Sequence, residues 1–322
     1  MIDSILAAHF QLTVRCNLKC SFCGQSRGMA GLGTDEISVE QWLDFASQLR
    51  ALSPEGKAPV ITLWGGEPML YGKFDLLAFE LHRAGHPLHI VTNGTLIENS
   101  ADTLCRLFDR IFISLDGMKD DHDAVRGSGV FDRVKENISL LKTRNGKLTF
   151  LCTVSDRNVD KAADIPLQMA ELGCDEIVLQ QLMYLSGREI EEYRRYSLLH
   201  FGRDYPELEA WRRDDDSVYR SKLENMLKVF EERSYPVKVV FTPHAYLFGE
   251  NAKGCTKQLE RIHIRHDGEV GFCTDYFGFS AGNALETPLA EILSSEKTRL
   301  FRKAAENCEL PVCNHCPWRL QH

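Results

Sequence analysis

The sequence predicts an α/β fold: an open, partial (β/α)6 barrel of the TIM type, followed by a small cysteine-rich C-terminal domain. Two observations predict it. Short β runs alternate with helical segments six times before residue 182, and after Gly249 the texture changes to a hairpin signal with closely spaced cysteines. The boundary falls near residue 245, giving a barrel over 1–245 and an appended domain over 246–322.

Taken in order, the strands are expected at His9–Val14, Pro59–Trp64, Leu88–Thr92, Arg110–Leu115, Lys147–Val154 and Glu176–Gln181. The helices between them are expected at Ser38–Leu52, Met69–Ala84, Phe131–Arg144 and Lys161–Leu172. Ser38 with Gln41 forms a capping box, and Val39, Trp42, Leu43, Ala46 and Leu49 follow helical spacing. Such β/α units imply parallel strands with right-handed crossovers, too few for a closed barrel, with function at the C-terminal strand ends. Residues 183–248 are less regular, with a helix at Ser221–Arg233 and a strand-like run, Val237–Phe241, before Pro243.

The net charge of −8, with no basic tract, argues against a nucleic-acid partner, because phosphate binding needs clustered Lys and Arg. Arg194, Arg195, Arg203, Arg212 and Arg213 are interleaved with acids and read as a solvated helical face. No apolar run approaches the ~20 residues of a membrane span, and Met1–Phe10 lacks signal-peptide features. A cytoplasmic location and no membrane partner are expected.

The chain has eleven cysteines, and in a cytosolic protein spaced cysteines point to metal or catalysis. Cys105, Cys152 and Cys174 stand singly in apolar segments and read as small buried hydrophobes. Cys16, Cys20 and Cys23 lie in the loop directly after the first strand. Three thiolates can hold three corners of a 4Fe–4S cube and leave one iron open. A closed zinc site is the alternative; it wants a fourth ligand that the loop lacks, since His9 belongs to the start of the strand.

The neighbouring motifs resemble those of the radical SAM superfamily. Its signature is the CxxxCxxC spacing with an aromatic residue, here Phe22, before the last cysteine. Gly65-Gly66-Glu67-Pro68 is similar to the family's GGEP motif. There the resemblance implies that the backbone and Glu67 hold the methionyl ammonium group of S-adenosylmethionine; glycines permit close approach and a carboxylate pairs with a cation. The run Ser114-Leu115-Asp116-Gly117 with His122-Asp123-Ala124-Val125-Arg126-Gly127 resembles the subgroup with C-terminal SPASM or twitch domains. The resemblance implies a ribose contact for Ser114, cofactor contacts for Asn93, Asp116 and Arg126, and adenine packing at the sixth strand end by Gln180, Gln181 and Leu182. A hydrogen-bonded loop scaffold is the plain alternative for His122, Asp123 and Arg126.

The second group begins with Cys255, Gly268 and Cys273, where His266-Asp267-Gly268 signals a hairpin flanked by Ile262, Ile264, Val270 and Phe272. That hairpin is expected to bring Cys255 and Cys273 towards each other. Cys313-Asn314-His315-Cys316 follows. The pattern resembles the twitch half of a SPASM domain, and Gly282-Asn283-Ala284-Leu285 its glycine–asparagine turn. The resemblance implies one auxiliary 4Fe–4S cluster held by Cys255, Cys273, Cys313 and Cys316; a four-cysteine zinc site fits the same spacing. Because the sequence ends six residues after Cys316, one auxiliary cluster is expected rather than two. Cys308 has three readings: a packed helix-end residue, a replacement ligand, or a hydrogen-atom donor to a substrate radical.

The resemblance implies an enzyme that cleaves S-adenosylmethionine reductively and abstracts a substrate hydrogen atom, served by an electron donor such as flavodoxin or ferredoxin. Most relatives of this subgroup modify a ribosomal peptide or protein side chain by oxidation, crosslinking or epimerisation. The alternative is a small-molecule dehydrogenase or epimerase acting on a sugar, cyclitol or amino acid. With only fifteen residues before Cys16, no N-terminal peptide-recognition domain is expected, which weakens the peptide reading without removing it.

Overall fold

Alternation within the first strand orients the whole sheet. In β1 (Ala7–Thr13), Ala8, Phe10 and Leu12 are fully buried, and Phe10 stacks on Trp42 of helix α1 (Val39–Ala51) at 4.6 Å. His9, Gln11 and Thr13 therefore point to the opposite face, the barrel interior. The protein is described here from a computed structural model over residues 5–24, 35–54, 57–241, 243, 246–247, 255, 260–274, 276, 279–310, 313 and 315–316.

The remaining parallel strands are β2 (Val60–Gly65), β3 (Leu88–Thr92), β4 (Arg110–Ser114), β5 (Lys147–Val154), β6 (Glu176–Gln181) and β7 (Lys238–Phe241), each paired in turn with the one before. The six expected strands form, and Val237–Phe241 supplies a seventh. After β7 come β8 (Arg261–Ile264), β9 (Glu269–Gly271) and β10 (Gly282–Asn283), and the sheet order is β10-β9-β8-β1-β2-β3-β4-β5-β6-β7. The C-terminal hairpin thus joins the barrel's own sheet, since β8 pairs in parallel with β1 and His263 sits opposite His9. Among the described residues no strand joins β7 to the far edge, so the barrel is open.

Helices α2 (Phe74–Arg83), α3 (Ala101–Leu107), α4 (Lys119–Arg126), α5 (Val130–Ser139) and α6 (Ile165–Ala170) pack outside the strands. Beyond them lie α7 (Gly187–Phe201), α8 (Ser217–Glu231), α9 (Leu289–Ser294) and α10 (Glu296–Glu306). The capping box at Ser38 and Gln41 forms as expected. Helix α6 is shorter than expected because Pro166 fits only a first turn, where no backbone N–H is required. The segment His122–Arg126 is helical, on α4, not a loop.

The largest difference lies at residues 183–250, where α7 runs for fifteen residues behind a capping box of Ser186 and Glu189. Arg194 and Arg195 lie on that helix, but Arg212 and Arg213 sit on extended chain beside Leu185, so the five arginines share no helical face. Gly282–Asn283 is a short strand paired with β9, and the expected turn follows at once over 284–286, closed by the Glu286 and Thr287 N–H groups donating to Asn283 O at 3.1 and 2.9 Å before α9. Asn283 still closes over the hairpin, donating from Nδ2 to Asp267 O at 3.0 Å, while the Ala284 N–H donates to Gly268 O at 2.8 Å. No helix among the described residues is long and apolar enough to cross a membrane.

Candidate active site

The C-terminal strand ends converge on the loop that carries Cys16, Cys20 and Cys23. Gly65 and Gly66 bring the end of β2 against that loop's root. A Cβ on Gly65 would meet Thr13 O at 2.4 Å and one on Gly66 would meet Arg15 O at 2.2 Å. The Gly66 and Glu67 N–H groups donate to Thr13 O and Arg15 O at 2.9 and 2.8 Å. The close approach these glycines permit is therefore to the cysteine loop's own backbone.

Glu67 follows Gly66 just past the end of β2. It is fully buried, and its carboxylate accepts from Thr92 Oγ1 (2.8 Å), Asn93 N (2.8 Å) and Met69 N (3.3 Å). Glu67 thereby ties the end of β2 to the end of β3. Burial pushes its pKa up to about 7, against the pull of those hydrogen bonds.

Asn93 stands at the loop itself. Its Nδ2 donates to Asn17 Oδ1 at 2.9 Å and lies 3.9 Å from Cys16 Sγ. Asn17 Nδ2 donates in turn to Thr95 Oγ1 at 2.8 Å, and Thr95 donates back to Asn93 Oδ1 through both N (2.9 Å) and Oγ1 (2.6 Å). This closed ring of three side chains fixes the loop to β3. Sequence reasoning found Asn93 but missed Asn17 and Thr95, whose signal was only their adjacency to motif residues.

Asp116, just past β4, and Arg126, on α4, form a buried pair with Nε to Oδ2 at 2.6 Å. Asp116 Oδ1 also accepts from Thr153 N at 2.9 Å, and the Asp116 N–H donates to His122 Nδ1 at 3.1 Å. The Arg126 Nη1 lies 3.9 Å from Cys20 Sγ, and the guanidinium sits 5.8 Å over the Phe22 ring. Burial opposes its charge, but Asp116 and Cys20 outweigh that and keep Arg126 protonated. Ser114, half-buried, ends β4 opposite Leu151. Gln180 and Leu182 sit at the end of β6, where the Leu182 N–H donates to Val154 O at 2.7 Å.

This donor set fits a metal cluster. Burial raises the Cys16 thiol and pushes Cys20 up to about 11, with Arg126 pulling Cys20 down, so ionised sulfurs here call for a cation. Cys16 Sγ already accepts the Leu18 N–H at 3.5 Å. Three cysteines within one loop, flanked by an amide and a guanidinium, supply the donor chemistry for three-point ligation of an iron–sulfur cube, although among the described residues no three such groups are already set to hold a metal ion.

Of the later cysteines, Cys255 and Cys308 meet at the end of α10. Cys255 N and Cys308 N both donate to Ala305 O, at 3.2 and 3.3 Å, and the Glu309 N–H donates to Ala304 O at 2.8 Å. Cys308 takes the left-handed position of a Schellman cap, at φ 59°. Cys313 N donates to Leu310 O at 3.0 Å, and Cys273 and Cys313 both lie close enough to the buried Tyr276 phenol to raise its pKa beyond the effect of burial itself. Cys105, Cys152 and Cys174 are buried in the core, as expected.

Residues 10–165 match the radical SAM superfamily and residues 255–317 match the iron–sulfur cluster-binding SPASM domain. The chain is 26% identical over 313 residues to pre-heme d1 synthase of Dinoroseobacter shibae, spanning 88% of this chain and 72% of that one. It is 28% identical over 315 residues to the sporulation killing factor maturation protein SkfB of Bacillus subtilis, spanning 96% and 70%. Its fold is similar to Streptococcus suis SuiB bound to S-adenosylmethionine, with a TM-score of 0.68 at 15% identity, over 98% of this chain and 72% of that one. The CxxxCxxC loop at the strand ends falls in the first match and the later cysteines in the second, so the protein carries a radical SAM domain, which implies S-adenosylmethionine and a 4Fe–4S cluster, followed by a SPASM domain, which implies an auxiliary iron–sulfur cluster.

Proposed function

We propose that this radical SAM enzyme modifies a ribosomal peptide or protein side chain by oxidation, crosslinking or epimerisation. The likeness to SkfB, a maturation protein, over 96% of the chain supports this reading most directly. Cys16, Cys20 and Cys23 would hold the first cluster; Cys255, Cys273, Cys313 and Cys316 would hold the auxiliary one. When bound, S-adenosylmethionine and the reduced cluster supply a 5′-deoxyadenosyl radical that takes a hydrogen atom from the substrate.

The chain's own residues prepare for that step. Asn17, Asn93 and Thr95 fix the cysteine loop, and Arg126 adds positive charge beside Cys20. The backbone of Gly65 and Gly66 and the Ser114 hydroxyl would meet the cofactor, with Gln180 and Leu182 at its adenine end. Glu67 acts behind them by joining two strand ends. A reduced flavodoxin or ferredoxin would deliver the electron.

A small-molecule substrate is the second reading, supported by the likeness to pre-heme d1 synthase. Reconstituted enzyme, S-adenosylmethionine, a reductant and perdeuterated candidate substrates separate the two. Deuterium in 5′-deoxyadenosine from a precursor peptide supports the first; label only from a small molecule overturns it.

A further inference from the structure

We propose that residues 185–212 form a clip that fixes the two cysteine regions relative to each other, with Trp211 positioning the first loop and Glu189 the second. The inference rests on the reading of both cysteine sets as cluster ligands, and it assigns a role to a segment that no sequence motif explains.

The clip is closed at its base. The Leu185 N–H donates to Trp211 O at 2.9 Å and the Arg213 N–H donates to Leu185 O at 2.8 Å, so the chain leaves and rejoins the barrel at one point. Its two arms are α7 and the short 3-10 helix Pro206–Trp211. Arg194 holds the chain between them against α7 with two parallel hydrogen bonds to the Asp204 carboxylate, at 2.8 and 2.7 Å, and Tyr193 stacks on Tyr205, the residue that leads into the 3-10 helix, at 5.9 Å.

The 3-10 arm ends on the first cysteine loop. The Trp211 indole N–H donates to Phe22 O at 3.3 Å, one residue before Cys23. The indole ring also fills the space beside Gly24, where a Cβ would fall 2.9 Å from it.

The α7 arm ends on the second region. Residues at four-residue steps share one helix face, and Glu189, Tyr193, Ser197 and Phe201 form such a stripe. The Glu189 carboxylate accepts from His315 Nε2 at 2.5 Å, between Cys313 and Cys316, while the Ser186 N–H (2.8 Å) and Oγ (2.7 Å) hold its Oε2. Tyr193 stacks on Tyr276 at 4.2 Å, Ser197 Oγ lies 3.5 Å from the Tyr276 hydroxyl, and Phe201 packs on Phe279 at 4.7 Å. Gln181, at the end of β6, adds a second hold through Nε2 to His315 O at 3.5 Å. One rigid element therefore touches both cysteine regions through separate residues, so each attachment can be cut alone.

Full-length Trp211→Ala, Trp211→Phe, Glu189→Ala and Glu189→Gln test this by two readouts. In the metal-free chain, iodoacetamide labelling mapped by mass spectrometry should rise at Cys23 in Trp211→Ala and at Cys316 in Glu189→Ala, each leaving the other region at its wild-type rate. In the reconstituted enzyme, Trp211→Ala should weaken S-adenosylmethionine binding about tenfold, the usual cost of removing support from a metal ligand, and alter the cofactor-induced EPR change of the first cluster. Glu189→Ala should move only the auxiliary signal, and Trp211→Phe and Glu189→Gln should restore most of each effect. Wild-type labelling and EPR in folded Trp211→Ala, or equal disturbance of both regions by either variant, overturns the clip. Region-specific labelling in a wild-type chain that takes up no iron would instead overturn the cluster reading.

Discussion

Arg126 and Asp116 meet in the interior 2.6 Å apart, and the same guanidinium lies 3.9 Å from Cys20 Sγ. The pair joins α4 to the end of β4 and turns a positive charge towards the cysteine loop. Removing one partner leaves a buried charge uncompensated, which costs ~3–5 kcal/mol. Arg126→Met and Asp116→Asn should each lower the unfolding free energy of the metal-free chain by that order in urea titrations. The double variant should lose less than the sum of the two.

Glu67 gives a pH dependence of defined sign. Its folded pKa of about 7 exceeds its ordinary value of 4.5, so the folded chain holds its proton more tightly than the unfolded one. Its contribution to stability is full below pH ~4.5, falls as pH rises to ~7 and is constant above, a total of about 3 kcal/mol. Glu67→Gln should abolish this slope when wild type and variant are unfolded across that range.

Gly66→Ala should separate the cysteine loop from the fold. The added Cβ would fall 2.2 Å from Arg15 O, a backbone atom with no room to give at the root of the loop. We expect an intact circular dichroism spectrum, loss of roughly half the bound iron and no S-adenosylmethionine cleavage. Retained cleavage would show that β2 and the loop can separate without consequence.

Cys308 is the one described non-glycine residue with positive φ. Glycine suits that cap better, so Cys308→Gly should stabilise the metal-free chain by up to ~1 kcal/mol. In the reconstituted enzyme the same variant separates the sequence readings. Depleted auxiliary iron marks a ligand, full iron with normal product a packed cap, and full iron with a misquenched substrate radical a hydrogen-atom donor.

Strand positions were legible because each combines alternation with a bounding turn; Leu88–Thr92, Lys147–Val154 and Glu176–Gln181 form as read. The cysteine loop was legible because its ligand spacing is local. What escaped reading depends on contacts between distant segments. Asn17 and Thr95 are 78 residues apart in sequence, and Trp211 reaches Phe22 across 189. Helix α7 was readable from Ser186 and Glu189, whose capping box precedes Ile190, Tyr193 and Ser197. Its polar exposed face masked that periodicity. Glu67 stands out by its motif, but its burial and its partners depend on the neighbouring strand end at Thr92 and Asn93.

The central claim is that Cys16, Cys20 and Cys23 hold the cluster that acts on S-adenosylmethionine while the C-terminal cysteines hold a second one. Iron analysis with 5′-deoxyadenosine assay, on wild type and on the Cys16→Ala/Cys20→Ala/Cys23→Ala variant, tests it most directly. We predict ~8 iron per wild-type chain after anaerobic reconstitution, and in the variant ~4 iron with no 5′-deoxyadenosine. Continued 5′-deoxyadenosine formation by the variant, or zinc in place of half the iron in the wild type, would contradict it.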